Sequence, residues 1–187
     1  KKSRGVKAGE VVVADEVEKS IRSVVQQAQK MASTTIDDVM ICFSGGSPIS
    51  KSLFGELRLK NSTVGAKDIG ILLSQYDFDS AASNREILHA MPVNFSLDDR
   101  TGLTDPCGLV GQTLGIDINL MTIKPNVLDN ISQCFSRCQL GLAGAVFAPY
   151  ASARSSLVED ELILGSACVD MGSGSTGVSI FLNHQMV

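Results

Sequence analysis

The sequence predicts an α/β lobe interrupted by a small α+β insert, and three observations carry that prediction. Val39–Phe43 and Leu162–Val169 are apolar runs without alternation, as expected of strands in a sheet covered by helices. In the middle of the chain, Leu53, Gly55, Leu57 and Leu59 alternate with Phe54, Glu56, Arg58 and Lys60, the period of a half-exposed strand. Around both lie apolar stripes at spacings of three and four, which mark amphipathic helices. The insert is placed at 47–123, between flanking segments 1–46 and 124–187.

Val11-Val12-Val13 follows a Gly-rich opening and reads as a loop running into a short strand. Asp15 with Glu18 forms a capping box, and Val17, Ile21, Val24, Val25, Ala28 and Met31 continue as a helix to about Ala32. Val39–Phe43 then reads as a buried strand stopped by Ser44-Gly45-Gly46. Within the insert the order is strand (53–60), helix (Ile69, Leu72, Leu73, Tyr76), strand (87–95), loop (96–115) and strand (116–121). Pro125 suits a first helical turn, and the stripe from Val127 to Cys138 runs to a stop at Gly141. A strand at 144–147, a helix at 150–158, a strand at 162–169 and a strand at 176–182 complete the chain, the last two joined by a Gly/Ser turn.

The chain has 187 residues, 44% hydrophobic and 19% charged, with a formal net charge of −4. Apolar content is ample and net charge small, which argues against disorder. Sixteen Lys+Arg against 20 Asp+Glu leave no electrostatic footprint for nucleic acid. No apolar run reaches the roughly 18–20 residues of a membrane span. The chain opens Lys-Lys with no signal peptide and is read as a piece of something longer. Cys42, Cys107, Cys134, Cys138 and Cys168 are odd in number and scattered, a pattern that argues against a disulfide framework or a zinc site. Cys134 and Cys138 are read as members of a buried helical stripe rather than a redox or metal pair, in a reducing cytoplasm. His89 is read as a strand residue and Glu159-Asp160-Glu161 as solvated charge at a helix end; no catalytic residue is assigned.

The window from Val169 to Phe181 carries the most chemistry. Asp170 ends an apolar strand, where a carboxylate can hold Mg²⁺ or its water. Gly172, Ser173 and Gly174 let backbone N–H groups approach a phosphate, and Ser175 and Thr176 add hydroxyl donors. An ordinary Gly-rich hairpin uses the same residues, and the window alone leaves both readings open.

Further segments narrow the choice. They are Ser3-Arg4-Gly5-Val6 with Gly9, Ile36 through Ser44-Gly45, and Arg85-Glu86-Ile87-Leu88-His89 with Pro92. They continue with Gly102-Leu103-Thr104-Asp105-Pro106-Cys107-Gly108-Leu109-Val110-Gly111, and with Ala151-Ser152-Ala153 followed by Val158–Glu161 and Gly165. On these the chain resembles the FtsA family of bacterial cell-division proteins through nearly its whole length, and the Asp170 turn takes the place of that family's second phosphate motif. The resemblance implies a partial actin-like (ribonuclease-H-like) lobe, with 1–46 and 124–187 as parts of its subdomain 1A and 47–123 as the inserted strand-helix-strand-strand subdomain 1C. It implies ATP and Mg²⁺ in the full-length protein, held by Asp170, Gly172, Ser173, Gly174, Ser175 and Thr176, with Asp170 serving the metal.

The resemblance also implies a scaffold on the cytoplasmic face of the inner membrane at the division septum. There it would polymerise with itself, link FtsZ filaments to the membrane, and recruit later proteins such as FtsN and FtsI through the insert. The first phosphate loop, the second lobe that meets FtsZ and a C-terminal membrane helix are expected outside this segment. Ser173, Ser175 and Gly177 stand where the family has Gly, Thr and Asp, and Gln112-Thr113 where it has Val-Arg. The expectation is at most a weak ATPase in the whole protein, with an inactive segment that binds no nucleotide well. A pilus-assembly protein of the PilM type carries a similar insert and is the alternative; the Asp105-Pro106 loop favours FtsA. A sugar kinase would need a carboxylate base and a sugar loop that the sequence does not offer.

Overall fold

The computed structural model describes residues 2–60 and 62–187; Lys1 and Asn61, which fall in the predicted segments 1–46 and 47–123, lie outside the described residues. In chain order the elements are β1 (Val6–Lys7), β2 (Glu10–Val11), α1 (Ala14–Ala32), β3 (Asp38–Phe43), β4 (Ile49–Arg58), α2 (Ala66–Ser74), α3 (Phe78–Ala82), β5 (Glu86–Leu97) and β6 (Arg100–Leu103). They continue with β7 (Thr113–Ile123), α4 (Val127–Arg137), β8 (Gly141–Phe147), α5 (Ala148–Ser156), α6 (Glu159–Leu164), β9 (Ser166–Met171), β10 (Thr176–Leu182) and β11 (Gln185–Met186). Two compact units divide the chain. One comprises the chain up to Pro48 with Ile123–Leu157 and Ala167–Ser179; the other comprises Ile49–Thr122, Val158–Ser166 and Ile180–Val187.

In the first unit β3 and β8 pair in parallel, from Asp38 opposite Gly141 to Phe43 opposite Phe147. The pair is not apolar on both faces as its sequence suggests: β3 alternates, with Met40 exposed and Phe43 buried. Helix α1 starts one residue before the predicted cap. Val13 holds the N-cap position without a side-chain bond, and Asp15 lies inside the first turn with Glu16, where the helix dipole favours carboxylates. Glu18 does not close a box; it meets Arg137 of α4 at 3.2 Å. Cys134 is buried on α4, and Cys138 donates through Sγ to the Glu18 carbonyl at 3.6 Å. Burial pushes both thiols up, in keeping with the stripe reading. Pro125 precedes α4 rather than entering it, and the predicted stop at Gly141 is displaced. Gln139 takes the left-handed turn (φ 62°), so that Gly141 opens β8.

The second unit is built on a four-stranded sheet in the order β4-β7-β5-β6. β4 and β7 run antiparallel from Ile49 opposite Thr122 to Arg58 opposite Thr113. β7 is buried along almost its whole length. Its Leu114, Ile116 and Ile118 join Leu72 of α2, Leu97 of β5 and Val64 in one core, with Leu53, Leu57 and Phe95 packed around it. On its other side Asn119 is buried but satisfied: its amide donates to the Met186 carbonyl at 3.2 Å, and its Oδ1 accepts from Ser50 Oγ at 2.7 Å. The predicted loop at 96–115 contains a strand, β6, which pairs Leu97 with Arg100 and Phe95 with Leu103, and a second helix, α3, precedes β5. The insert therefore exceeds the predicted strand-helix-strand-strand order by one helix and one strand.

The run 162–169 is not one strand. Its first part is the end of α6; Gly165 (φ 105°) breaks the helix and β9 begins at Ser166. The β10–β11 turn, with Asn183 and His184 both at positive φ, points its N–H groups at α6: Asn183 donates to the Ile163 carbonyl and His184 to that of Leu162 at 3.1 and 2.9 Å. These bonds satisfy carbonyls that a helix end leaves orphaned. Among the described residues no helix is long and apolar enough to cross a membrane.

Two features of the second unit carry predictions. Asp98, in the turn between β5 and β6, accepts from the Thr113 and Gln112 N–H groups, each at 2.9 Å. These bonds, Thr113 first and with Arg100 adding to them, hold its carboxyl below the usual range. A carboxyl whose folded pKa is depressed stabilises the fold above its unfolded value, about 4, and loses that contribution as pH falls through the folded value. In urea titrations at several pH values, wild type is expected to lose stability on acidification below about pH 4, and Asp98→Ala to lose less over the same interval. Parallel profiles would contradict this role for Asp98.

The Tyr76 hydroxyl is buried without a hydrogen-bond partner among the described residues, its ring stacked on Phe78 at 5.4 Å. Burial, with the Asp117 charge, pushes its pKa up. Leaving a buried donor unmade costs about 1–3 kcal/mol, so Tyr76→Phe is expected to match or exceed wild-type stability in urea. A clear loss would mean that the hydroxyl is bonded in solution.

Candidate functional site

Small residues permit the close approach of three turns in the first unit. The first is Ala8-Gly9 between β1 and β2, the second Ser44-Gly45 after β3, and the third 172–175 between β9 and β10. Gly9 and Gly45 meet backbone to backbone: a Cβ on Gly45 would stand 2.7 Å from the Gly9 carbonyl carbon and 2.8 Å from the Ala8 oxygen. A Cβ on Gly174 would lie in ordinary contact with Ala8 N, at 3.6 Å. The Ser175 hydroxyl donates to that of Ser44 at 3.3 Å, and the turn closes on itself where Gly172 N–H donates to the Ser175 carbonyl at 2.9 Å.

The six predicted site residues thus lie on β9, on the turn and at the start of β10. Asp170 is half-buried on β9 and its Oδ2 accepts from Ser152 Oγ of α5 at 2.9 Å. Gly172, Ser173, Gly174 and Thr176 are exposed and Ser175 is half-buried. The arrangement offers hydroxyls and exposed backbone beside one carboxylate, a donor set suited to an anion. Among the described residues no group of three His, Cys, Asp or Glu is gathered to hold a metal. A side chain at Gly177 would run into Pro149, in the first turn of α5, so the surroundings of this position are shaped for glycine.

Ser44 and Ser152 escaped the sequence reading of the site. They lie 131 and 18 residues from the groups they bond, and nothing in their local sequence distinguishes them from other serines. His89 lies on β5 of the second unit, its pKa lowered by burial. Of the acidic run, Glu161 accepts from the Val158 N–H at 2.9 Å and caps α6, while Glu159 sits 3.5 Å from His184 Nδ1.

Residues 45–122 match the family model described as the SHS2 domain inserted in FtsA. Over 186 residues, 100% of this chain and 42% of the relative, the chain is 38% identical to the cell division protein FtsA of Rhizobium meliloti. It is 30% identical to that of Pseudomonas aeruginosa over 96% of this chain and 43% of the relative. With the Escherichia coli K12 protein the figures are 27%, 96% and 43%. The chain spans less than half the length of these curated relatives.

Proposed function

The chain is a segment of an FtsA-type cell-division protein, and from that premise we propose that it is the insert-bearing part of a scaffold acting on the cytoplasmic face of the inner membrane at the septum. The observation that carries this reading is a match to FtsA proteins along the whole chain, including the inserted domain at 45–122. In the proposal the parent protein links FtsZ filaments to the membrane through parts outside this segment. The insert contributes to self-assembly and to recruiting later division proteins such as FtsN and FtsI.

The turn at 172–175 belongs to the nucleotide site of that parent. Gly172, Ser173, Gly174, Ser175 and Thr176 would hold phosphate oxygens through N–H and hydroxyl donors. Asp170 would serve Mg²⁺, an ion commonly bound through one or two carboxylates with water and phosphate completing its shell. The ion supplies charge neutralisation between phosphates. Ser152 keeps the Asp170 carboxylate oriented, and Gly177 supplies no second carboxylate. In this reading the parent is at most a weak ATPase and the segment alone is inactive.

A binding assay tests the scaffold reading. Immobilised chain is expected to retain the cytoplasmic tail of a late division protein of the FtsN type, and a full-length FtsA. Retention of neither, by chain shown to be folded, would contradict it.

A further inference from the structure

Strand β4 is an outer strand of the four-stranded sheet and is ten residues long. Beyond its end the Leu59 N–H donates to the Gln112 carbonyl, toward the β7 side. Alternation then turns the backbone groups of the even residues, from Ser50 to Arg58, away from β7. Such an edge is a template for another strand, and most proteins keep it short or cover it. The even residues are also the exposed ones: Leu53 and Leu57 pack toward the core, while Phe54 is 57% exposed and Glu56 and Arg58 lie open. Neither Glu56 nor Arg58 forms an ion pair among the described residues.

The charges on this edge are self-complementary. If two β4 strands pair antiparallel about a two-fold axis at Leu57, Glu56 of each copy faces Arg58 of the other, and Phe54 faces Lys60. Residues directly opposite across an antiparallel pair have Cβ atoms about 4.5–5.5 Å apart, and opposite charges there favour that register. The facing residues are those whose backbone groups turn away from β7, so each pair can exchange both N–H···O bonds. A two-fold contact closes on itself, which ends growth at a dimer.

We propose that β4 is a homodimerisation edge, pairing with β4 of a second copy of this chain in the register that sets Glu56 against Arg58 twice. This pairing rests on the self-assembly proposed for the insert above and specifies its contact; a monomeric chain that still retains a late-division tail would overturn the pairing and leave the recruiting role standing. Sedimentation velocity on the 187-residue chain across a concentration series tests it. Wild type is expected to dimerise, and to dissociate as NaCl is raised. Glu56→Arg alone and Arg58→Glu alone each place like charges across the axis and are expected to weaken association at least tenfold. An equimolar mixture of the two variants, and the double variant E56R/R58E, both restore opposite pairs and are expected to recover it. Circular dichroism separates misfolding from lost pairing, and the salt series reads the contact without any substitution. A wild type that stays monomeric, single variants that associate like wild type, or a mixture that fails to recover would each overturn the proposal.

Discussion

Gly45→Ala is expected to lower the melting temperature by about 6–12 °C, from a loss near 3 kcal/mol and about 2–4 °C per kcal/mol in a chain of this size. The added methyl would enter space held by the Gly9 carbonyl carbon at 2.7 Å and its Cα at 2.8 Å. Both are backbone atoms, so no rotamer change relieves the contact; the two turns must separate. Gly9→Ala meets the same wall from the other side, with Gly45 Cα and N at 2.6 Å, and carries the further strain of φ 76°. Separation of these turns would also pull Ser44 from Ser175, so the loss reaches the candidate site. Gly70 provides the contrast. It lies inside α2, where an added Cβ would meet no other described residue within 4 Å beyond the helix's own backbone, and Gly70→Ala is expected to stabilise by about 0.5–1 kcal/mol. Thermal unfolding followed by far-UV circular dichroism checks all three; the chain has no Trp to serve as a fluorescent reporter. A Gly45→Ala melting point within 2 °C, by about the same conversion, of wild type would show that the turns do not meet.

Ile116→Ala is expected to cost about 2–5 kcal/mol, because Ile116 is fully buried near the middle of β7, the strand between β4 and β5. The loss combines the transfer of the removed methyl groups with a cavity that Leu72, Leu97, Leu114 and Ile118 cannot fill by small shifts. Ile116→Val removes one methylene and is expected to cost only about 0.5–1.5 kcal/mol. Urea unfolding resolves the two. Equal, small losses would place Ile116 outside a close-packed core.

The parts of the fold that were legible in the sequence are those whose side-chain period is unambiguous. The stripe from Val17 to Met31 produced α1, and the alternation around Leu53 to Leu59 produced β4. The hairpin strand β6 was hidden because Arg100-Thr101-Gly102-Leu103 has no apolar alternation; pairing with β5, not pattern, makes it a strand. The Leu162–Val169 run misled for the opposite reason. A short apolar stretch suits helix and strand equally, and the Glu161 cap with the break at Gly165 decides for a helix first. In the candidate site, the turn at 172–175 stands out by composition. Its meetings with Ser44, Ser152 and Ala8 come from tertiary packing, which no local pattern records.

The division role is tested most directly in cells. The segment of Rhizobium meliloti FtsA that matches this chain is replaced by the chain itself, and the resident protein is depleted. Continued septation, lost again on Ile116→Ala, is the predicted result. Smooth filaments, in cells where the unaltered chimera accumulates to the resident level, would contradict it.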